Sequence, residues 1–159
     1  MSGPLSFWTS ADVDAAFRTL YGEVRGEPPE GQVAVMFTLI NRAKLARVRP
    51  SRMFGDGTIR GACMAPAQFS CWPGNPPLAG LGVGVPSTAR QLAVVLGVLL
   101  GDLGPPAEPW WSDRITHYHV ASDPFPEGWT PRPTPDGWKP PPPTGIVAHH
   151  AFYSEDVVP

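Results

Sequence analysis

Three carboxylates crowd a short stretch, "YGEVRGEPPEGQ" at residues 21–32, which holds Glu23, Glu27 and Glu30 among glycines and a proline pair. Glutamate in a sheltered position can give a proton to a leaving oxygen and take one back, which is general acid–base chemistry. At about 100° per residue, the apolar positions Val13, Ala16, Phe17, Leu20, Tyr21 and Val24 share one helical face. Glu23 falls roughly 90° from the centre of that face, on the flank of the buried stripe. A carboxyl half inside apolar surroundings is pushed towards its protonated form, because desolvation disfavours charge. Glu27 lies one turn on, where Gly26 and the Pro28–Pro29 pair end the helix. It is free to cap a backbone donor or to pair with Arg25 or Arg42. Glu30 opens the next helix, the ordinary place for an acid.

A second chemistry is available to histidine. "HYH" at 117–119 puts His117 and His119 on one face of a strand, and His149 and His150 follow. Three such ligands with an open position would make a catalytic zinc site of the kind an amidase uses. No His-Glu-x-x-His spacing supports this, and Cys63 and Cys71 are not spaced as close paired ligands, so no metal or other cofactor is expected. The two cysteines either pair across a short hairpin or stay reduced and half-buried.

These residues need a scaffold. The chain has 159 residues, 42% hydrophobic and 16% charged, which suits one domain with a real core. A formal net charge of −2 gives no basic field for nucleic acid. Ser10 is expected to cap the first helix, with Asp12 and Asp14 in its first turn. A second, central helix is expected over 30–45, apolar on most of its circumference. Five basic residues follow from Arg42 to Arg52 with no acid among them. They read as a solvated helix end rather than as a surface for an anionic polymer. Residues 54–86 carry turn signals, with Asp56 between two glycines, and "AQFSCW" is long enough for a strand. A third helix should start near Ser87 with Leu92, Val95, Leu96, Leu99 and Leu103 on one face. Its apolar run is too short to span a bilayer. Twelve of the 22 prolines lie between Gly104 and Gly145 and forbid long helices there. "RITHYHVA" and "IVAHHAFYS" alternate as strands do. The fold class is therefore α+β.

Three blocks, in order, resemble the SleB-like cell wall hydrolases, a family of spore-cortex-lytic enzymes and phage endolysins. "LYGEVRGEPPEGQVAVMFTLINR" matches the opening signature, with Val24 where alanine is usual. "CMAPAQFSCW" resembles the family's Cys-x-x-Pro-x-Gln-Phe-Ser-Cys-Trp segment. "THYHVASDPFPEGW" and "IVAHHAFY" resemble its closing pair, with His149 where asparagine is usual. The likeness covers roughly residues 12–153 of a single catalytic domain spanning 1–159. It implies a lysozyme-like fold, mainly helical with a short sheet and long proline-rich loops. It also implies cleavage of the MurNAc–GlcNAc bond of peptidoglycan with Glu23 as the acid, as a lytic transglycosylase more than as a hydrolase. Glu27, Gln68, Ser70, Trp72, Tyr118, His119, His150 and Tyr153 then bind substrate. Trp72 and Tyr118 serve equally well as core residues. Trp110, Trp111, Trp129 and Trp138 either line the cleft or staple loops.

The expected partner is bacterial peptidoglycan, with no nucleic acid, no membrane insertion and a monomeric chain. The start of the chain, "MSGPLSFWTSAD", lacks the basic and apolar regions of a signal peptide. Synthesis in the host cytoplasm and release through a membrane pore, as for a phage endolysin, is the expectation. A muramidase using Asp56, a zinc amidase using the histidines, and a glycan-binding module without chemistry remain alternatives.

Overall fold

The computed structural model describes residues 8–65, 68–69, 71–72, 86–126, 129 and 141–156. Four helices and a small antiparallel sheet occur among them. The first helix, α1, spans Ser10–Val24. Its cap is Thr9, not Ser10: Thr9 and Asp12 form a reciprocal capping box, with Thr9 N donating to Asp12 Oδ2 at 2.8 Å. A box satisfies two orphan donors at once, which a cap one residue later would not. Asp14 instead pairs with Arg18, one turn on, at 3.0 Å. Ala15, Ala16, Phe17, Leu20 and Val24 are buried, while Val13 and Tyr21 sit at the margin of that face.

The central helix, α2, runs over Pro29–Val48, longer than expected at its C-terminal end. Proline starts it because the first helical N–H needs no partner. Its buried positions go all the way round the helix, from Gly31 to Ala46. A one-turn helix, α3, spans Ile59–Cys63 inside a stretch that reads as turns. Thr58 caps it by accepting from Gly61 N at 2.8 Å. α4 spans Pro86–Leu100. Its buried line is Gln91, Val94, Val95, Val98 and Leu99, rotated from the line through Leu92 and Leu96. Leu103 lies beyond the helix, where its N–H returns to the Gly97 carbonyl at 2.9 Å.

The expected strand at "AQFSCW" is absent from its described residues. Gln68 N and Trp72 N close turns onto the Ala65 and Phe69 carbonyls three residues back, which takes these backbone donors away from any ladder. The last three elements are strands: β1 Ile115–Val120, β2 Gly145–Val147 and β3 His150–Ser154, in the order β1-β3-β2 and all antiparallel. "IVAHHAFYS" is thus a hairpin and not one strand. Ala148, at φ 52°, turns the chain, and Val147 pairs with His150 across the turn.

One core unites α1, α2, α3 and α4 with Ile115, Val147 and Phe152 of the sheet. A satellite cluster covers the other side of the sheet, where Ala151 and Tyr153 meet Phe125 and Trp129. The two faces of β1 and β3 therefore carry different side chains, as strand alternation requires.

Candidate functional site

Glu23 sits in the last turn of α1 and is half-buried. The Cys71 backbone N–H donates to its Oε1 at 3.1 Å. This contact exists because Cys71 packs directly on Gly22, where any side-chain carbon would stand 2.4 Å from the Cys71 Cβ. The neighbouring Trp72 is anchored by its indole N–H, which donates to Thr19 Oγ1 at 2.8 Å. Cys71 and Trp72 are therefore pinned along α1 by Thr19, Gly22 and Glu23.

Tyr118 completes this side of the site. It points from the inner face of β1, between Phe69 and Phe152, with ring centroids 6.3 Å and 5.8 Å away. Its hydroxyl is buried and has no hydrogen-bond partner among the described residues. Burial first, and the Glu23 charge second, push its pKa well above 10. It therefore stays a proton-bearing donor beside a carboxylate.

Gln68 is held by Arg42, whose Nη1 donates to Gln68 Oε1 at 3.1 Å. Arg42 is itself buried, donates from Nε to the Thr116 carbonyl at 2.6 Å and lies 4.9 Å from the centre of the Phe69 ring. It belongs to the core and not to a solvated helix end, which is the main correction to the reading of the basic run. The later members of that run do lie outside: Arg47 bonds the Gly57 carbonyl and Arg49 pairs with Glu155 at 2.6 Å.

Glu27 pairs with neither Arg25 nor Arg42. Arg25 bonds the Tyr21 and Gly22 carbonyls. Glu27 is buried and reaches the β2–β3 turn instead, where His149 N donates to Oε2 and His149 Nδ1 lies against Oε1, both at 3.1 Å. His150 Nδ1 stands 3.4 Å from Oε2. Gly31 leaves the space, since a Cβ there would stand 2.9 Å from Glu27 Oε2. Burial raises the Glu27 pKa, but the donors from His149 and the nearby His150 outweigh it, and the net value falls below the usual 4.5. A carboxyl held below its unfolded value lends stability that is complete above about pH 4.5 and vanishes as pH falls through the folded value. Glu27→Gln should therefore melt below the wild type at about pH 6, with the gap closing as pH falls below about 4.5. Thermal melts across that range test it; a gap that stays constant with pH would contradict the pairing.

The sheet brings some expected residues together and separates others. His150 packs on the Tyr118 ring, centroids 5.3 Å apart, and stands 3.4 Å from Glu27, so these two residues of the inner face connect Glu27 to Tyr118, on which the Glu23 charge acts. His119 and Tyr153 occupy the outer face, stacked at 5.5 Å and joined by a 2.9 Å bond from ring nitrogen to hydroxyl. Trp129 covers His117 and His119 on that same side. Trp110 and Trp111 pack on Phe152. Ser70 and Trp138 lie outside the described residues.

Asp56 lies at the far end of α1. Its Oδ1 accepts from Thr58 N and Oγ1, at 3.0 and 2.6 Å, and it shares a cavity of about 440 Å³ with Thr9 and Asp12. Eleven residues of helix, at 1.5 Å each, put Asp12 and Glu23 about 16 Å apart along the axis. Asp56 thus cannot face Glu23 across a glycosidic bond.

Cys63 and Cys71 are free thiols, pushed up to about 12, chiefly by burial. Among the described residues no three His, Cys, Asp or Glu are grouped to share a metal ion.

Comparison with known proteins relates part of the chain to a lytic enzyme. A stretch of 63 residues is 36% identical to the spore cortex-lytic enzyme of Oceanobacillus iheyensis. The match covers 40% of this chain and 20% of that protein, so the chain spans about a fifth of the length of the curated relative it matches. No family model and no solved structure matches the chain.

Proposed function

We propose that this chain degrades peptidoglycan by cutting its glycan strand, with Glu23 as the acid, on a lysozyme-like scaffold. The observation that carries the reading is the setting of Glu23. It projects from a core helix, it is half-buried, its carboxylate is oriented by the Cys71 N–H, and the buried Tyr118 hydroxyl stands in its field. A rigid first contact of this kind is what proton transfer needs. The partial match to a cortex-lytic enzyme favours the same substrate class.

The outcome we favour is lytic transglycosylation. Two-carboxylate hydrolysis needs a second acid within about 5–9.5 Å of the first; Asp56 sits at the other end of α1, and Glu27, one turn on, is buried and taken up by His149 and His150. With one carboxyl, Glu23 protonates the glycosidic oxygen as the bond from the MurNAc C1 to that oxygen breaks. The same carboxylate then takes the proton from the C6 hydroxyl of that MurNAc, whose oxygen closes on C1. The nucleophile is intramolecular, so no second residue has to place a water. No water is consumed and the acid is regenerated.

Mass analysis of digested walls tests this. The new ends should be 1,6-anhydro-muramoyl, lighter by one water than hydrolysed ends. Reducing muramic acid ends would mean a muramidase. Free stem peptides with intact glycan would mean an amidase and would remove Glu23 from the chemistry.

A further inference from the structure

A groove of about 480 Å³ is lined by Ile146, Val147 and Ala148, next to the turn whose His149 bonds Glu27. Val33 of α2, Val147 and Ile146 of β2, and Leu103 line its apolar part. Ile146 is 55% and Leu103 is 38% exposed, so their surface is uncovered rather than packed away. The walls are built. Leu103 lies on Gly97 of α4, where an added Cβ would stand 2.8 Å from its Cδ1. The ring of Trp110 fills the space beside Gly145, so the start of β2 admits no side chain.

The charged lining has one sign. Glu30 and Glu108 stand at the groove, and among the described residues no lysine or arginine lines it. Both are exposed, and neither is in an ion pair among the described residues. Glu30 lies in the first turn of α2, a place that favours an acidic side chain. An apolar trough ending in two carboxylates fits a long aliphatic side chain with a cationic tip, which lays its methylenes on apolar surface and keeps its charge in water.

We propose that this groove binds the diamino-acid side chain of a peptidoglycan stem peptide. The proposal rests on the reading that peptidoglycan is the substrate. The side chain's amine, with a pKa near 10.4, is charged at neutral pH. Its methylenes lie on Val33, Ile146 and Val147, and its ammonium sits between Glu30 and Glu108. Because Ala148 lines the groove and His149 bonds Glu27, a peptide held there borders the network that runs to Tyr118 and Glu23. The site therefore distinguishes peptide-bearing glycan from stripped glycan.

The test is a titration of the whole chain, followed by NMR, with the tetrapeptide L-Ala–γ-D-Glu–L-Lys–D-Ala and with the same peptide acetylated on its side-chain amine. The free peptide should bind with shifts at Val33, Ile146 and Val147. Acetylation should weaken binding roughly three- to tenfold, the worth of two exposed charge contacts. Replacing both acids, Glu30→Gln with Glu108→Gln, should weaken the free peptide by the same factor and abolish the difference between the two peptides. Equal binding of both peptides by the wild type, or shifts elsewhere on the chain, would overturn the proposal. The peptide has no glycosidic bond, so this result is independent of cleavage. A chain that binds the peptide but releases no glycan fragments would keep the groove and lose the glycan-cutting reading.

Discussion

Glu23→Gln should lower the rate of wall lysis roughly 10²- to 10⁴-fold, the usual worth of a general acid. The melting temperature should stay within a few degrees of the wild type. Glutamine keeps the volume, so the contacts along α1 survive. Its amide oxygen can still accept from the Cys71 N–H that now meets Glu23 Oε1 at 3.1 Å. What it cannot do is carry the proton to the leaving oxygen or take one from the C6 hydroxyl. Both half-reactions are lost with one atom changed. A conservative change at a half-buried position costs little stability, within about 1 kcal/mol. At 2–4 °C per kcal/mol for a chain of this size, roughly, that is a small shift. Turbidity loss of purified walls measures the first effect and a thermal melt the second. A folded variant that clears walls at near the wild-type rate would remove Glu23 from the mechanism. A binding module without chemistry would show no lysis in the wild type itself.

The position of Glu23 was legible because it depends on local periodicity. About four turns of pattern on one helix fix which face is buried, and Glu23 falls on its flank whatever the rest of the chain does. The break after Val24 was legible for the same reason, since glycine and proline act on their own backbone. What Glu27 does was not legible. Its partners, His149 and His150, lie more than 120 residues away, and the turn that presents them depends on Ala148 at positive φ. Alanine gives no sign of that conformation, so the closing segment reads as one strand. The 68–72 segment misleads in the opposite direction. Its residues suit a strand, but packing on Gly22 and Thr19 folds it into turns along α1. The split of the histidines between two faces of the sheet follows from alternation. His119 and Tyr118 are neighbours in the chain and must point apart, so they could not both reach Glu23 from one regular strand.

Arg42→Ala should be the most destabilising single change considered at the site, with a loss of about 2–4 kcal/mol and a melting temperature lower by roughly 5–15 °C. In the sequence Arg42 heads a basic run that reads as a solvated helix end, and there such a change would cost almost nothing. The structure buries it, because α2 is enclosed on all sides and offers no solvent face until its last turns. Three effects compete. Burial lowers its pKa from 12.5 to about 10, mainly through desolvation, so the charge persists at neutral pH at a cost on the order of 3 kcal/mol. Against that stand two charge-assisted bonds, to the Thr116 carbonyl and to Gln68, each worth about 1.5–3 kcal/mol, and the contact with Phe69. Alanine recovers the desolvation cost but loses both bonds, strands the buried Thr116 carbonyl and leaves a cavity. The cavity and the stranded carbonyl decide the sign. Arg42→Met separates them: it fills the space and recovers the desolvation, so its melting temperature should lie much closer to the wild type. Both variants remove the Arg42–Gln68 bond and loosen the start of β1 beside Tyr118, so both should lyse walls more slowly than their stability alone would dictate. Melts of the two proteins with matched lysis rates test this. An alanine variant that melts within about 2 °C of the wild type would mean that Arg42 contributes nothing net to the core.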